Sequence, residues 1–285
     1  MTDFPETLVA AVAQRRAILF AGAGLSCSLG LPLFDVLTKH LAEELGMEDA
    51  KNLDFPVLAE YYFLKTSRQD HFYDWMRTTW HPANINIRDS RAHNAIVDLN
   101  FPVIYTTNYD FWIEQAFAKR ERPFRKIIKV SDLAKSKPSE TEIIKFHGDF
   151  EDPASIVITE SHFLRRMSLD EPLDIRLRSD SLARPILFVG YSLSDPNIRY
   201  LLYGLRQLWA EYTDEKVRPK SYILMVERDE VQERLLRERG VEPIVSEGDD
   251  PSACLTDFFT GLCEAVTNVN KGNLKEAASV SSSGR

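Results

Sequence analysis

Four short polar stretches in this chain each follow an apolar run and carry groups able to handle a phosphorylated sugar. They are GAGLS (Gly22–Ser26), TTNYD (Thr106–Asp110), HGD (His147–Asp149) and GYSLSDPN (Gly190–Asn197). Gly22 and Gly24 let the backbone turn tightly and approach a pyrophosphate, with the amides of a following helix as donors. The third glycine of a G-x-G-x-x-G fingerprint is missing, because Cys27 occupies its place. No acidic ribose-binding residue is recognisable at the end of a second strand, which weighs against a hydride-transferring dehydrogenase. Ser26 offers a hydroxyl to phosphates or ribose. Asn108 both donates and accepts, so it can hold a hydroxyl or a water. Taken alone, TTNYD is equally an Asx-type turn in which Asp110 caps the next helix.

His147, at the end of the apolar IIKF run, has the chemistry of a general base near neutral pH. The competing reading is a hydrogen-bonded structural imidazole, and His40, His71, His81, His93 and His162 receive that reading. GYSLSDPN lacks the second glycine of a nucleophile elbow, so Ser192 is not expected to attack; Gly190 and Ser192 fit a second cradle for phosphate or ribose. There is no phosphate-binding G-x-x-x-x-G-K-[ST] loop and no H-E-x-x-H pair, so neither nucleotide triphosphate hydrolysis nor a metal site is expected.

The elements that must carry these tips follow from the apolar runs. Strands are expected at ILF (Ile18–Phe20), FPVIY (Phe101–Tyr105), EIIKF (Glu142–Phe146), SIVIT (Ser155–Thr159), PILFV (Pro185–Val189), SYILMVERD (Ser221–Asp229) and VEPIV (Val241–Val245). Such runs separated by helical stretches predict a Rossmann-like α/β fold: a doubly wound, mainly parallel sheet buried on both faces. An entry helix is expected over Thr7–Arg16, and a helical insertion over about residues 35–99 separates the first two strands. Ser131–Thr141 reads as an exposed loop. Residues 1–268 are expected to form one domain and 269–285, small and polar, an unstructured tail. In open α/β sheets ligands bind beyond the carboxyl ends of the strands, and all four polar tips sit at such ends.

Composition narrows the classes. The net charge is −8 over 285 residues, which argues against nucleic acid as a direct ligand. Two basic stretches, KRERPFRK (Lys119–Lys126) and the arginines of Leu164–Arg178, read as solvated faces. No run approaches the length of a membrane span, and the N-terminus lacks a signal-peptide layout. The three cysteines form no C-x-x-C pair, which fits a reducing cytoplasm without structural zinc.

The four stretches, in this order, resemble the sirtuin superfamily, and within it a divergent bacterial sirtuin-like branch. GAGLSCSLGLPLF is similar to the family's cofactor loop, TTNYD to T-Q-N-I-D, HGD to its H-G pair and GYSLSDPN to G-T-S-L-x-V-x-P. The resemblance implies that Gly22, Ala23, Gly24 and Ser26 bind the phosphates of NAD+ and that Phe34 covers the nicotinamide ribose. It implies that Asn108 binds ribose and water, Asp110 the carboxamide, and that His147 is the base. Thr107, Gly190 and Ser192 complete the pocket. Leu33, Asp35 and Thr107 depart from the family pattern, and the four zinc cysteines of the deacetylases are absent. The branch resembled consists of NAD+ glycohydrolases of anti-phage defence, controlled by self-assembly or by a partner such as a HerA-type ATPase or an Argonaute-type module. The alternatives are a protein deacylase or ADP-ribosyltransferase, and a subunit that binds NAD or ADP-ribose without turnover.

Overall fold

Three strands are buried at every position: Ile18–Ala21 (β1), Val103–Thr106 (β2) and Ile186–Val189 (β5). A strand with no polar face must be covered on both sides, and that requires the parallel crossover architecture expected from the sequence. The computed structural model describes residues 4–47, 54–191, 196–212, 218–246 and 248–282. It completes the sheet with Phe124–Ile127 (β3), Thr141–Lys145 (β4), Ser221–Met225 (β6) and Val241–Val245 (β7). The seven strands lie in the order β3-β4-β2-β1-β5-β6-β7, and every pairing is parallel.

Helices cover both faces. On one lie Glu6–Ala13 (α1), Trp112–Lys119 (α7), Pro251–Ser282 (α13) and the insertion between β1 and β2. That insertion comprises Phe34–Leu45 (α3), Phe55–Thr66 (α4), Gln69–Trp80 (α5) and Arg91–Leu99 (α6), after the short Ala23–Cys27 (α2). Its helices meet through Leu41, Tyr62, Phe72 and Met76, all buried in the same cluster as Leu19, Ile104 and Ile143 of the sheet. On the opposite face, Pro172–Ala183 (α10), Pro196–Tyr212 (α11) and Glu230–Glu238 (α12) bury Leu177, Leu201, Leu202 and Leu236 against Phe20, Tyr105 and Phe188. Two short helices, Val130–Leu133 (α8) and Glu160–Arg165 (α9), sit beyond the ends of β3 and β4.

Some expectations change. SIVIT is not a strand: a 3₁₀ turn over Pro153–Ser155 leads into an extended segment outside the sheet. Ile156 and Ile158 are buried as the alternation demands, but their neighbour Val157 donates its amide to the His147 carbonyl (2.9 Å). The Ile158 amide goes to His162 Nδ1 (3.3 Å). KRERPFRK holds β3, an edge strand whose charged side chains conceal any apolar alternation. Arg125 pairs with Glu140 and Lys126 with Glu151 (2.6 Å), so these cations are partnered rather than simply solvated. Arg166 is buried and paired with Asp174, and Arg176 reaches Glu142 (2.7 Å). The expected 131–141 loop includes the end of α8, and α13 continues to Ser282 through the position where an unstructured tail is expected to begin. At the other edge of the sheet, β7 carries Pro243 opposite Ile223.

The direction of winding reverses between β1 and β5. There the loops that follow the two strands touch: the Gly24 amide donates to the Gly190 carbonyl at 2.9 Å. Gly190 has φ +62°, and a Cβ on it would lie 2.4 Å from the Leu25 nitrogen. Gly190→Ala should lower stability by about 1–3 kcal/mol through strain and backbone collision. By contrast Gly204, in α11 with nothing within 4 Å of an added methyl, should gain about 0.5–1 kcal/mol as alanine. Urea denaturation of the two variants checks the opposite signs.

Candidate active site

Each polar tip is positioned by the strand before it. Gly22 follows β1 and donates its amide to the Val189 carbonyl of β5 (2.9 Å), which fixes where α2 begins and places Ser26 on its inner side. Beyond β2, the Asn108 amide is held by Thr106 Oγ1 (3.1 Å). The Asn108 side chain then donates both hydrogens of its amide, to the Gly22 carbonyl (3.1 Å) and to Ser26 Oγ (2.8 Å). Ser26 Oγ in turn donates to Asp110 Oδ2 (2.6 Å). The chain of bonds therefore has one polarity, from amide to hydroxyl to carboxylate. It leaves Asn108 Oδ1 as an acceptor with no protein donor among the described residues.

Asp110 serves two ends. Its Oδ1 accepts the Trp112 amide (3.2 Å), the Asx turn expected at the start of α7, while Oδ2 holds Ser26. A small, shallow cleft lies over this cluster. Ala23, Ser26, Leu33, Trp80, Thr107 and Asn108 are among its walls. Gly22, Gly24 and Gly190 form the floor of the loop crossing. Phe34 begins α3, but its side chain and all of Ser192 lie outside the described residues.

His147 stands on the neighbouring tip. Thr106 of β2 and Lys145 of β4 are register partners, and the Phe146 amide donates to the Thr106 carbonyl (2.8 Å). Asn108 and His147 thus each lie two residues beyond paired positions on adjacent strands. The imidazole is 5% exposed and meets Phe163 of α9 edge-on, centroids 5.3 Å apart. Gly148 follows with φ +88°, and a Cβ there would lie 2.3 Å from the Ser155 carbonyl oxygen. Only glycine allows the chain to pass so close.

Residue-type reasoning missed three groups. Lys145 is fully buried, donates to the Asp110 main-chain carbonyl and lies 3.3 Å from Glu114. Burial pulls its ammonium down, but Glu114, Asp110 and Asp149 more than offset this, so the pKa is raised and the charge is kept. A lysine inside a buried parallel strand was itself the available signal. Arg166 packs over Phe146 from the other side, with nothing in its local sequence to mark it as buried. His81 also belongs to the site's frame. Its Nδ1 donates to the Arg77 carbonyl (2.7 Å), its Nε2 accepts the Phe111 amide (3.3 Å), and its ring stacks on Phe111 at 3.6 Å. Among the described residues no group of three or more His, Cys, Asp and Glu is placed to hold a metal, and no helix is long and apolar enough to cross a membrane.

A family model described as "SIR2-like domain" matches residues 102–244, from the start of β2 to β7. The chain belongs to the SIR2-like family. The NAD(+) hydrolase ThsA of Cytobacillus dafuensis is 31% identical over 202 residues, covering 70% of this chain and 40% of that protein. ThsA of Bacillus cereus (strain MSX-D12) is 28% identical over 199 residues, 70% of this chain and 41% of its own. The chain therefore spans about two fifths of the length of these relatives. Defense-associated sirtuin 2 of Bacillus subtilis is 34% identical over 120 residues, 41% of this chain and 12% of that protein. Among solved structures, a Sir2 homologue–NAD complex superposes with a TM-score of 0.53 at 13% identity, covering 93% of this chain and 96% of that one. A mutant Sir2 homologue with ADP-ribose gives 0.54 at 14%, covering 94% and 98%. These structures share the fold.

Because Nε2 of His81 must stay unprotonated to accept the Phe111 amide, its titration bears on stability. Burial lowers this pKa from 6.5, only partly opposed by the bond to Arg77. His93, fully buried in α6, is lowered further, to about 4. In the unfolded chain both take a proton near pH 6.5, before the folded state does, so stability is full above that pH and declines as pH falls below it. The urea midpoint should drop between pH 7.5 and 5, and His81→Gln, which still accepts but does not titrate, should make that drop shallower.

Proposed function

We propose that this chain is an NAD+ glycohydrolase, cleaving NAD+ to nicotinamide and ADP-ribose. The observation that carries the reading is the one-way bond chain from Asn108 through Ser26 to Asp110 at the mouth of the strand-order reversal. The hydrolase names of the ThsA relatives support it. The site residues of the proposal are Asn108 and His147 for chemistry, with Gly22, Ala23, Gly24, Ser26, Phe34, Thr107, Asp110, Gly190 and Ser192 lining the substrate.

The bond from ribose to nicotinamide breaks through an oxocarbenium-like state, because the positively charged ring leaves as a neutral molecule. No strong acid is needed. The protein must hold the ribose, exclude bulk water and stabilise the spreading positive charge. With both amide hydrogens committed, Asn108 Oδ1 accepts a hydrogen from the attacking water or a ribose hydroxyl. His147 takes the proton that the water loses on attacking the anomeric carbon. Asp110, already accepting from Ser26 and the Trp112 amide, adds a fixed negative charge beside the cleft.

The setting is part of the same proposal: an NAD+-depleting effector of bacterial defence, acting in the cytoplasm and controlled by self-assembly or by a partner of the HerA-type ATPase or Argonaute class. Relatives called ThsA and Defense-associated sirtuin 2 support that setting.

His147→Ala and Asn108→Ala should each lower nicotinamide release by about 10²–10⁴-fold while leaving the circular dichroism spectrum unchanged. Chromatography of an NAD+ digest checks this. Near-parental turnover by either folded variant removes that residue from the reaction, and acetyl-ADP-ribose formed with an acetyl-lysine peptide would favour the deacylase reading.

A further inference from the structure

Two buried cations grip the end of β4 from opposite faces of the sheet. Side chains alternate along a strand, so Lys145 emerges on the face of Ile143 and Phe146 on the face of Ile144. On the first face the Lys145 ammonium donates to the main-chain carbonyl of Asp110, in the loop that carries Asn108. It also lies 3.3 Å from Glu114, in the first turn of α7, and 3.7 Å from Asp149, just past His147. On the second face Arg166 donates to the Phe146 carbonyl (2.6 Å), and its guanidinium lies 4.0 Å over the Phe146 ring. Asp174, itself 1% exposed, holds that guanidinium through Nε (3.3 Å) and Nη2.

Neither cation is needed to fill its space. Burying a charge costs several kcal/mol before its partners offset it, and an apolar pair of similar volume is commonly as stable or more so. What an apolar pair would lose is the directed bond to a main-chain oxygen. Lys145 ties the β4 tip to the β2 tip, and Arg166 fixes the peptide immediately before His147. We infer that Lys145 and Arg166 are positioning residues, two buried ion-paired clamps that hold His147 at the depth and angle the Asn108 site requires. A shift of about 1 Å in a reacting group is enough to cost on the order of 10²-fold in rate.

The kinetic side of this inference rests on the NAD+ hydrolase reading, so the test carries a second readout. Each clamp is replaced as a pair, to avoid stranding a charge: Lys145→Met with Glu114→Leu, and Arg166→Met with Asp174→Leu. Both proteins should melt within about 5 °C of the parent. Both should keep KM for NAD+ within about threefold while kcat falls by roughly tenfold or more. The His147 imidazole carbon–proton resonance, assigned by its loss in His147→Gln, should be single and sharp in the parent and broadened or shifted in both variants. Folded variants with parental kcat and an unchanged His147 resonance overturn the inference. So does failure of either pair to fold, which would make it an anchor of the fold instead. If the parent releases no nicotinamide the hydrolase reading fails, and the imidazole resonance alone decides the clamp.

Discussion

The carbonyl of Gly190 accepts the Gly24 amide at 2.9 Å, and a Cβ on Gly22 would sit 2.4 Å from that same carbonyl oxygen. Two loops can approach this closely only as bare backbone. The contact lies where the strand order turns back on itself, between β1 and β5, and it sets the start of α2. From there the rest follows by short bonds: α2 presents Ser26, Ser26 receives Asn108 and donates to Asp110, and Asp110 accepts the first amide of α7. A displaced crossing would therefore move every polar group over the cleft together.

Charge is distributed unevenly around that rim. The chain carries a net −8 and most of its buried charged groups are acidic, yet two cations, Lys145 and Arg166, are buried at the β4 end. Each is surrounded by carboxylates and by main-chain oxygens, so its charge is spent on fixing backbone. On the Lys145 face, Glu114 shows the strain of this packing: burial raises its carboxyl against the pull of the ammonium. The acidic surplus thus extends into the interior, where Asp110, Glu114, Asp149 and Asp174 surround these two cations.

Much of this was legible from residue types. Runs such as ILF, PVIY and PILFV are apolar at every position, which only a strand covered on both faces tolerates, and the glycine and Asx residues after them mark where the sheet ends. The Asx turn at Asp110 and the helical insertion were equally readable. Others were hidden by physics that acts across the chain. FRKI pairs as β3 because its backbone completes the sheet edge, while its charged side chains erase the period-two signal. Ile156 and Ile158 alternate like a strand, but the amides along that segment go to a carbonyl and an imidazole from outside any ladder. The burial of Arg166 depends on Asp174, eight residues away, closing over it through α10. His81 shows the same limit, since its role appears only when α5 packs beside the Phe111 amide.

The two outermost strands carry one more implication. β3 presents arginine and lysine along its free margin, and β7 contains Pro243, which has no amide to offer a further strand. Both margins are thus closed to lateral extension. Neither margin favours continuing the sheet from one molecule into the next. Contacts through the helical faces are left as the favoured route, with a geometry set by side-chain shape rather than by a repeating backbone ladder.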